Sequence, residues 1–562
     1  MKFAFAPVIL VAAFVAVAPM PAAAVPADFR QRADAMLAAA WPADRPGVAV
    51  IVTERGRTVY TAGRGLADVE HRRAVAPNAV FRLGSITKQF TAAIILQLVD
   101  EHRISLDDPL SRFIPDYPPP GAAVTVRQLL NHTSGIQSYT GIPGWMVEAN
   151  TNRPYTTDQL IAVFRDRPVT YPAGTRWAYN NSGYILLGAI IERVTGMPWH
   201  EAVRQRIARP LGLTSIRYGV GEEAVPLMAH GYTNGPDGAV RPANRIHMSV
   251  PGGAGALIGT VGDLARWAQA LHHGRVISAA SYAQMIAPTR LPDGSTEKYG
   301  FGIGTDDVRG RRAIGHNGGI FGFSTDSLYL PDQDIFIAVF ANSDEPASPP
   351  GLTLRRLAAL ALGDPFPEFS RVPVDAAAVE PLLGVYALPG GGERRFFLRD
   401  GKLYTRRTGG PELEAFAAGG GRFFYGPDSL TWFTASRDAA GVVAMEMHQN
   451  GAVTAERSLR TGPVPPEAPA VAVPRATLAL YAGRYATGGP VVAIALGADG
   501  GLTAQMGEQR PVRLRAISQT EFEVEGVPAS IVFQREGTAV NRLVIRQNGR
   551  ELPATRVAAP AD

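Results

Sequence analysis

The sequence lacks cysteine and has little lysine. None of its 562 residues is a cysteine, which excludes disulfides, thiolate metal sites and a cysteine nucleophile. No His-Glu-x-x-His pattern occurs, so a zinc peptidase of that type is excluded as well. Lysine occurs only at positions 2, 88, 298 and 402 among 55 basic residues. A cation that is needed only for solubility is therefore normally an arginine in this chain.

The composition is that of a globular protein with a large core. Hydrophobic residues make up 46% and charged residues 19% of the chain, and the formal net charge is +5. No dense basic cluster with interleaved aromatic residues occurs, so nucleic acid is not expected as a partner. The length predicts several domains.

The first 24 residues have the pattern of a signal peptide. Lys2 precedes a short apolar run, Val8 to Val17, and Ala22 to Ala24 form a small-residue cleavage site. The apolar run is too short to span a membrane well. We expect cleavage after Ala24, export to the periplasm or medium, and no stable membrane insertion afterwards. The alternative is an uncleaved anchor.

Residues 27–364 are predicted to form an α/β domain. The segments 48–53 and 58–60 near its start, and 327–330 and 334–340 near its end, have the pattern of strands. Apolar segments between them, after Ser85 and around 184–192, have the pattern of helices. Strands at both ends indicate one sheet that is built from both ends of the domain and covered by helices.

Two glycine-rich β regions follow, at 374–461 and 474–558, and they resemble each other. Leu383-Gly-Val-Tyr386 matches Ala482-Gly-Arg-Tyr485, and Gln449-Asn-Gly451 matches Gln547-Asn-Gly549. The spacing of about 100 residues is kept throughout, which indicates a tandem repeat of small antiparallel, lipocalin-like barrels. The alternative is two unrelated β domains with similar turns. The proline-rich linker at 463–469 is expected to be extended.

Ser85-Ile-Thr-Lys88 opens a long apolar run and is the strongest catalytic signal. Residues three apart share a helix face, so the hydroxyl and the amine can meet. A serine nucleophile needs a base, and a desolvated lysine can be that base. A second copy of the motif, Ser295 to Lys298, follows a Pro-Asp-Gly turn and is interpreted as a solvated turn.

Two later segments could complete such a site. Tyr179 and Asn181 lie where a loop leads into a helix, and a phenol and an amide could move a proton and hold a carbonyl. The structural alternative is that Tyr179 packs in the core and Asn181 caps the helix. Gly315-His-Asn-Gly-Gly319, on a candidate edge strand, could let a substrate backbone approach and supply an N–H group to an oxyanion hole.

In this order the three segments resemble the signatures of penicillin-recognising serine hydrolases, the superfamily of class C β-lactamases and D-stereospecific peptidases. The resemblance covers nearly all of the first region, including the segments 126–135 and 253–265. It implies Ser85 as nucleophile, Lys88 and Tyr179 as the general-base pair, and a structural role for His132. It implies a substrate site at Asn181, His316, Gly318 and Gly319, whose N–H group would join that of Ser85 in an oxyanion hole. This mechanism needs no metal or organic cofactor.

His316 departs from many members of the superfamily, which carry lysine there. A histidine is mostly neutral near pH 7, so it favours substrates without a carboxylate at that place: esters, amides, or peptides held by their amino end. The two barrels resemble the architecture of bacterial D-aminopeptidase, in which an acidic residue on a loop of the last barrel receives the substrate amine. Glu508, Glu521 and Glu525 are candidates for that residue.

The sequence thus predicts an exported D-aminopeptidase-like hydrolase that acts on a small peptide, amide or ester. A general serine esterase, or a β-lactamase or penicillin-binding hydrolase, would use the same scaffold. An alternative of another class is a peptidoglycan-binding or β-lactam-sensing protein that is acylated at Ser85 without turnover. The sequence does not indicate an oligomeric state.

Overall fold

The structure is a computed structural model that describes residues 25–557, apart from 236, 466–470, 488–490, 498–499, 508–510, 526, 528, 537–538 and 548–549. The predicted signal peptide, Glu508 and most of the proline-rich linker lie outside the described residues. None of the helices within the described ranges is long and apolar enough to cross a membrane.

The helices of the first region separate into two layers, one on each face of a central sheet. They are α1 (Phe29–Ala40), α2 (Thr87–Asp100), α3 (Val126–Leu130), α4 (Glu148–Thr151), α5 (Thr157–Ala162), α6 (Asn181–Thr195), α7 (Trp199–Val203), α8 (Gly252–Gly255), α9 (Val261–His272), α10 (Ala279–Met285) and α11 (Pro350–Ala361). A 3-10 turn, Gly84–Ile86, leads directly into α2.

The central sheet joins both ends of the first region, as predicted. The first region's strands are β1 (Val48–Glu54), β2 (Arg57–Arg64), β3 (Leu66–Asp68), β4 (Arg73–Ala74), β5 (Phe81–Arg82), β6 (Arg217–Tyr218), β7 (Tyr232–Asn234), β8 (Val240–Pro242), β9 (Leu257–Gly259), β10 (Thr289–Arg290), β11 (Thr296–Glu297), β12 (Gly304–Val308), β13 (Arg311–Ile320), β14 (Phe323–Leu330) and β15 (Ile335–Ala341). The strand order in the central sheet is β12-β13-β14-β15-β1-β2, and its pairs are antiparallel.

The core lies on both faces of this sheet. Alternate residues of β1 and β15 point to opposite faces, and nearly all are buried, which explains why these strands are apolar throughout. One face packs on α1 and α11, and the other on the larger group of helices that includes α2, α6 and α9. Helix α2 is buried from Thr87 to Leu96, so it is a rigid support for the residues at its start.

Each β region forms a closed antiparallel barrel. The first contains β16 (Gly384–Ala387), β17 (Glu393–Arg399), β18 (Lys402–Arg407), β19 (Glu412–Gly419), β20 (Arg422–Phe424), β21 (Trp432–Arg437), β22 (Val443–His448) and β23 (Glu456–Gly462), after the helix α12 (Ala376–Val379). The second contains β24 (Gly483–Ala486), β25 (Val491–Leu496), β26 (Leu502–Met506), β27 (Val512–Ala516), β28 (Glu521–Val524), β29 (Ala529–Glu536), β30 (Ala539–Gln547) and β31 (Arg550–Val557), after α13 (Arg475–Tyr481).

The matching Gly-x-Tyr segments of the two barrels make the same contacts. Tyr386 donates its hydroxyl hydrogen to the carbonyl of Leu382, and Tyr485 donates to the carbonyl of Tyr481, also four residues earlier. Both tyrosines are fully buried in their barrel cores. The shared motif therefore ties the first strand of each barrel to the turn before it, and the predicted tandem arrangement of two barrels is confirmed.

A buried asparagine ties the end of the inner strand β15 to the loops beside it. Asn342 accepts from the N–H of Gly47 at 2.7 Å and donates to the carbonyls of His230 at 2.8 Å and Leu66 at 3.1 Å. The residue is fully buried, so water cannot replace these bonds.

We predict that Asn342→Ala lowers the free energy of unfolding by about 3 kcal/mol, because three buried backbone groups lose a partner. Asn234→Ala is the matched control, since Asn234 makes one exposed bond to the carbonyl of Glu345. It should change stability by less than about 0.5 kcal/mol. Urea unfolding of both variants checks this, and equal midpoints would contradict it.

Candidate active site

Ser85 lies in the 3-10 turn before α2, and this turn packs against β13. Gly84 has φ +53°, and a Cβ atom there would lie 3.0 Å from the nitrogen of Gly319. A Cβ atom on Gly318 would lie 2.1 Å from the carbonyl oxygen of Leu83. The hydroxyl of Thr325 donates to that same oxygen at 3.0 Å. Glycine at 84 and 318 thus lets the backbone of Ser85 approach that of Gly319.

Lys88 points back along the first turn of α2 to Ser85. Its side-chain nitrogen Nζ lies 3.0 Å from Ser85 Oγ, 2.8 Å from Asn181 Oδ1 and 2.9 Å from the carbonyl oxygen of Ala254. The residue is fully buried, and this burial holds its pKa well below the usual range of a lysine. No carboxylate is among these partners. The side chain is therefore set up to be a neutral amine beside the serine.

Tyr179 covers the amine from the other side. Its ring centre lies 4.7 Å from Lys88 Nζ, although the residue as a whole is 38% exposed. Burial raises the pKa of this phenol, and the neighbouring Ser85 side chain opposes that shift only in part. The phenol is thus protonated at neutral pH, and Tyr179 is not a core residue.

Asn181 holds Lys88, and its neighbour caps the helix. Asn180 is the N-cap of α6 and accepts from the N–H of Gly183 at 3.1 Å. The alternative in which Asn181 caps this helix is therefore wrong by one residue. Asn181 accepts from Lys88 and donates through Nδ2 to the hydroxyl of Thr140 at 3.1 Å. The amide is therefore oriented on both sides, and Thr140 is a site residue that the sequence did not reveal.

The segment 316–320 of β13 has an unpaired edge. Strand β12 pairs only with the residues from Gly315 back to Arg311, and within the described residues no other strand continues the sheet on that side. Strand β13 is thus second in the sheet, and the prediction of an edge strand holds only for its last residues. Nothing lies within 4 Å of a Cβ atom on Gly319. An extended chain could pair here as an added strand.

His316 is locked as a neutral ring. Tyr299 donates its hydroxyl hydrogen to Nε2 at 2.8 Å, and Nδ1 donates to the carbonyl of Asn317. Burial, together with the nearby Lys88, lowers the pKa of His316 to about 4. Both ring nitrogens thus have partners inside the protein. Sequence reasoning missed Tyr299, and its position beside the turn-like second Ser-x-x-Lys copy gave no signal.

The other histidine singled out by the sequence is structural. His132 is fully buried, and its Nδ1 accepts from the N–H of Asn180 at 3.1 Å. Its ring packs 4.4 Å from that of Tyr179 and 4.9 Å from that of Tyr299, measured between ring centres. Burial holds its pKa well below the usual range. His132 therefore supports the loop that carries Tyr179.

The second Ser-x-x-Lys copy and Glu521 do not join this site. Ser295 and Lys298 are exposed, and Ser295 bonds to Asp293 in a turn, as predicted. Glu521 accepts from Ser530 and pairs with Arg546, all within the second barrel. Glu525 is exposed on the same barrel, and Glu508 lies outside the described residues. None of the contacts described for Glu521 reaches the first region.

One group of side chains in the described part could in principle hold a cation. Ligand atoms of Asp68, Glu70 and His230 lie within 4.8 Å of one another. Asp68 already accepts from His71 at 3.0 Å, and Glu70 accepts from the hydroxyl of Tyr232. The group is satisfied within the protein and shares no contact with Lys88 or Ser85, so it has no part in chemistry at the serine.

The assembled groups can perform acyl transfer. A hydroxyl with a neutral amine 3.0 Å away can lose its proton as it attacks a carbonyl. A protonated phenol beside it can give a proton to a leaving group. The backbone of Gly319 lies next to the turn at Ser85, where N–H groups can stabilise an oxyanion.

Comparison with known proteins agrees with this geometry. The β-lactamase family matches residues 29–362, and the chain belongs to this family. The protein is a serine hydrolase. A penicillin-binding protein of Bacillus subtilis (strain 168) is 27% identical over 412 residues, which are 70% of this chain and 90% of that protein. A D-aminopeptidase of Brucella anthropi is 28% identical over 333 residues, which are 59% of this chain and only 62% of that protein.

Solved structures agree as well. An octameric penicillin-binding protein homologue from Pyrococcus abyssi superposes with a TM-score of 0.55 at 25% identity, and the match covers 76% of this chain and 99% of that one. The sequence resemblance to penicillin-recognising serine hydrolases is confirmed by these matches.

We predict that Gly318→Ala destabilises the protein and abolishes hydrolysis, because the new Cβ atom would clash with the backbone oxygen of Leu83 and push β13 away from Ser85. Gly319→Ala is the matched control for stability, since its Cβ atom meets nothing within 4 Å. Thermal unfolding should show a drop of several degrees for the first variant alone. Equal melting temperatures would contradict the close approach of β13 to the turn at Ser85.

Proposed function

We propose that Ser85 is the nucleophile of an acyl-enzyme mechanism, with Lys88 as its base and Tyr179 as the proton donor to the leaving group. The observation that carries this proposal is the buried Lys88 amine, 3.0 Å from Ser85 Oγ with no carboxylate to hold it charged. Tyr179 is assigned the second role because its raised pKa leaves the phenol protonated, so it can donate but not accept at the start.

In the first half-reaction Ser85 Oγ bonds to the substrate carbonyl carbon as its proton passes to Lys88 Nζ. The carbonyl oxygen becomes an oxyanion, held by the N–H groups of Ser85 and Gly319. Collapse breaks the carbon–nitrogen bond, and Tyr179 protonates the departing amine while the proton on Lys88 restores the phenol. Water then attacks the ester by the reverse route, which releases the acid and frees Ser85.

We further propose amide or peptide substrates of the D-aminopeptidase type. His316 is neutral and has no free donor, which favours substrates without a carboxylate at that place. The D-aminopeptidase relative supports the same class. Gly318 and Gly319 would line the bound substrate along the unpaired edge of β13, and Asn181 would contact its acyl part through the second hydrogen of Nδ2.

Release of p-nitroaniline from D-alanine p-nitroanilide tests the proposal, with the L-isomer in parallel. We expect D-selective turnover that falls at least about 10³-fold in Ser85→Ala. Ser295→Ala is the matched control, because it removes the serine of the exposed second motif, and it should keep full activity. Turnover that survives in Ser85→Ala would reject the nucleophile. Hydrolysis of short-chain esters alone would make the protein a general esterase on the same scaffold.

The pH dependence of kcat/KM should show the protonation of the catalytic base. Lys88 must be neutral to accept the serine proton, so kcat/KM should fall as the pH drops through its lowered pKa and stay level above it. His316, with a pKa of about 4, should add no step near pH 6.5. Lys88→Ala should lose most of its activity, and the activity that remains should no longer fall at low pH. Lys298→Ala should change neither the activity nor its pH dependence. The same fall at low pH in Lys88→Ala would contradict the assignment.

We also propose that the protein is exported, with cleavage after Ala24. The support is the sequence pattern of Lys2, the apolar run 8–17 and the small residues 22–24. N-terminal sequencing of the protein from the periplasm of an expressing bacterium should begin at Val25. A protein that retains Met1 and sediments with membranes would instead be anchored.

A further inference from the structure

A cavity of about 490 Å³ lies at the C-terminal end of α6, where α6, α7 and β6 meet. Its wall contains three neighbouring aromatic rings and a carboxylate, which belong to Trp199, His200, Tyr218 and Glu192. Asn181 begins the same helix, so Glu192 lies three turns further on, roughly 16 Å along the helix axis. None of the hydrogen bonds described for Ser85 and Lys88 reaches a residue of this wall. The cavity is therefore separate from the acyl-transfer site.

Three of the aromatic rings in the wall are packed on one another. The rings of His200 and Tyr218 are stacked with their centres 4.3 Å apart, and Trp199 meets Tyr218 edge to face at 5.7 Å. Burial lowers the pKa of His200, so this ring is neutral near pH 7. A fourth ring, that of Tyr155, already has the guanidinium of Arg153 at 4.8 Å from its centre. The other three form an aromatic surface of the kind that attracts organic cations.

Glu192 adds a negative charge with one accessible oxygen. Oε1 accepts from the hydroxyl of Thr157 at 3.0 Å and from the N–H of Trp199 at 3.3 Å. Oε2 has no hydrogen-bond partner among the described residues, and it is not one of the buried polar atoms, because the side chain is only partly buried. The next residue, Arg193, pairs with Asp158 at 2.8 Å instead. Burial raises the pKa of Glu192, so its negative charge is not fully compensated within the protein.

The carboxylate and the rings belong to one site. Burial, and after it the charge of Glu192, raises the pKa of Tyr218 to about 12, which requires the phenol and the carboxylate to be near each other. The backbone of Trp199 is bonded directly to the same carboxylate. A cation that reaches Oε2 therefore also lies near both aromatic residues.

These groups suit an organic ammonium ion. A metal ion prefers several oxygen ligands, and Asp158, the other carboxylate of the wall, is already paired with Arg193. An anionic ligand would be repelled by Glu192. An ammonium ion with small carbon substituents can place its charge against the carboxylate and its substituents against the rings, as in the aromatic cages that bind choline.

We propose that this cavity binds a small organic ammonium ion between Glu192, Trp199 and Tyr218. The proposal goes beyond acyl transfer at Ser85 and does not depend on it, because the two sites share no residue. It gives the protein a second ligand site, and its test is a measurement of binding rather than of hydrolysis.

Isothermal titration calorimetry of the full-length protein with choline tests the proposal. The control ligand is 3,3-dimethylbutan-1-ol, which has nearly the same shape as choline but no charge. We expect choline to bind at least about tenfold more tightly, because only a cation gains from the carboxylate and the rings. Ethanolamine is the second arm. Tighter binding of choline than of ethanolamine would assign the main contact to the rings, and the reverse would assign it to N–H donation to Glu192.

Glu192→Gln should reduce the preference for choline over the neutral alcohol to less than about twofold, because glutamine keeps the acceptor for Thr157 and Trp199 but loses the charge. Glu201→Gln is the matched control. Glu201 pairs with Arg204 and does not line the cavity, so its variant makes the same charge change outside the site. The preference should persist there. An unchanged preference in Glu192→Gln, or an equal loss in both variants, would overturn the proposal.

Two further variants test the aromatic part and serve if Glu192→Gln does not fold. Tyr218→Phe keeps the ring and should keep the preference for choline, whereas Tyr218→Leu removes the ring and should weaken choline binding about fivefold or more. Equal choline affinities of the two variants would reject the contact with the ring. In the unaltered protein, ammonium ligands that bind no more tightly than the neutral alcohol would refute the site.

Discussion

The burial of one amine beside one hydroxyl is the constraint on which the rest of the site depends. Lys88 is fully buried and has only uncharged partners, Ser85, Asn181 and Ala254, so its burial favours the uncharged form. Helix α2 has to be apolar to exclude water from that amine. Asn181 has to be oriented by Thr140 to form a hydrogen bond with it. The long apolar run after Ser85 is thus part of the chemistry as much as of the fold.

A second constraint is how closely two backbone segments approach. The turn at Ser85 and the strand at Gly319 come from distant parts of the sequence, and they can lie together only because Gly84 and Gly318 have no Cβ atom. Beyond Gly315, where the pairing with β12 stops, the outer edge of β13 has no neighbouring strand in the described part of the chain. The backbone at Gly319 thus lies beside the turn at Ser85 and next to an edge along which a chain can pair.

Much of the fold and of the site was predictable because it depends on residues that are close together in the sequence. Ser85 and Lys88 share a helix face, the strands near both ends of the first region are apolar, and the two barrels repeat the same Gly-x-Tyr segment. The residues that complete the site from distant parts of the sequence were not predictable. Tyr299 and Thr140 are far from the motifs in sequence, and they matter only because the fold brings them to His316 and Asn181.

The neutral state of the two basic side chains at the site affects how substrates arrive. Lys88 is buried and His316 is held as a neutral ring by Tyr299, so neither projects a positive field from the reaction centre into solution. Electrostatic attraction raises encounter rates only where such a field exists, and salt then weakens it. An anionic molecule therefore gains no electrostatic guidance from these two residues.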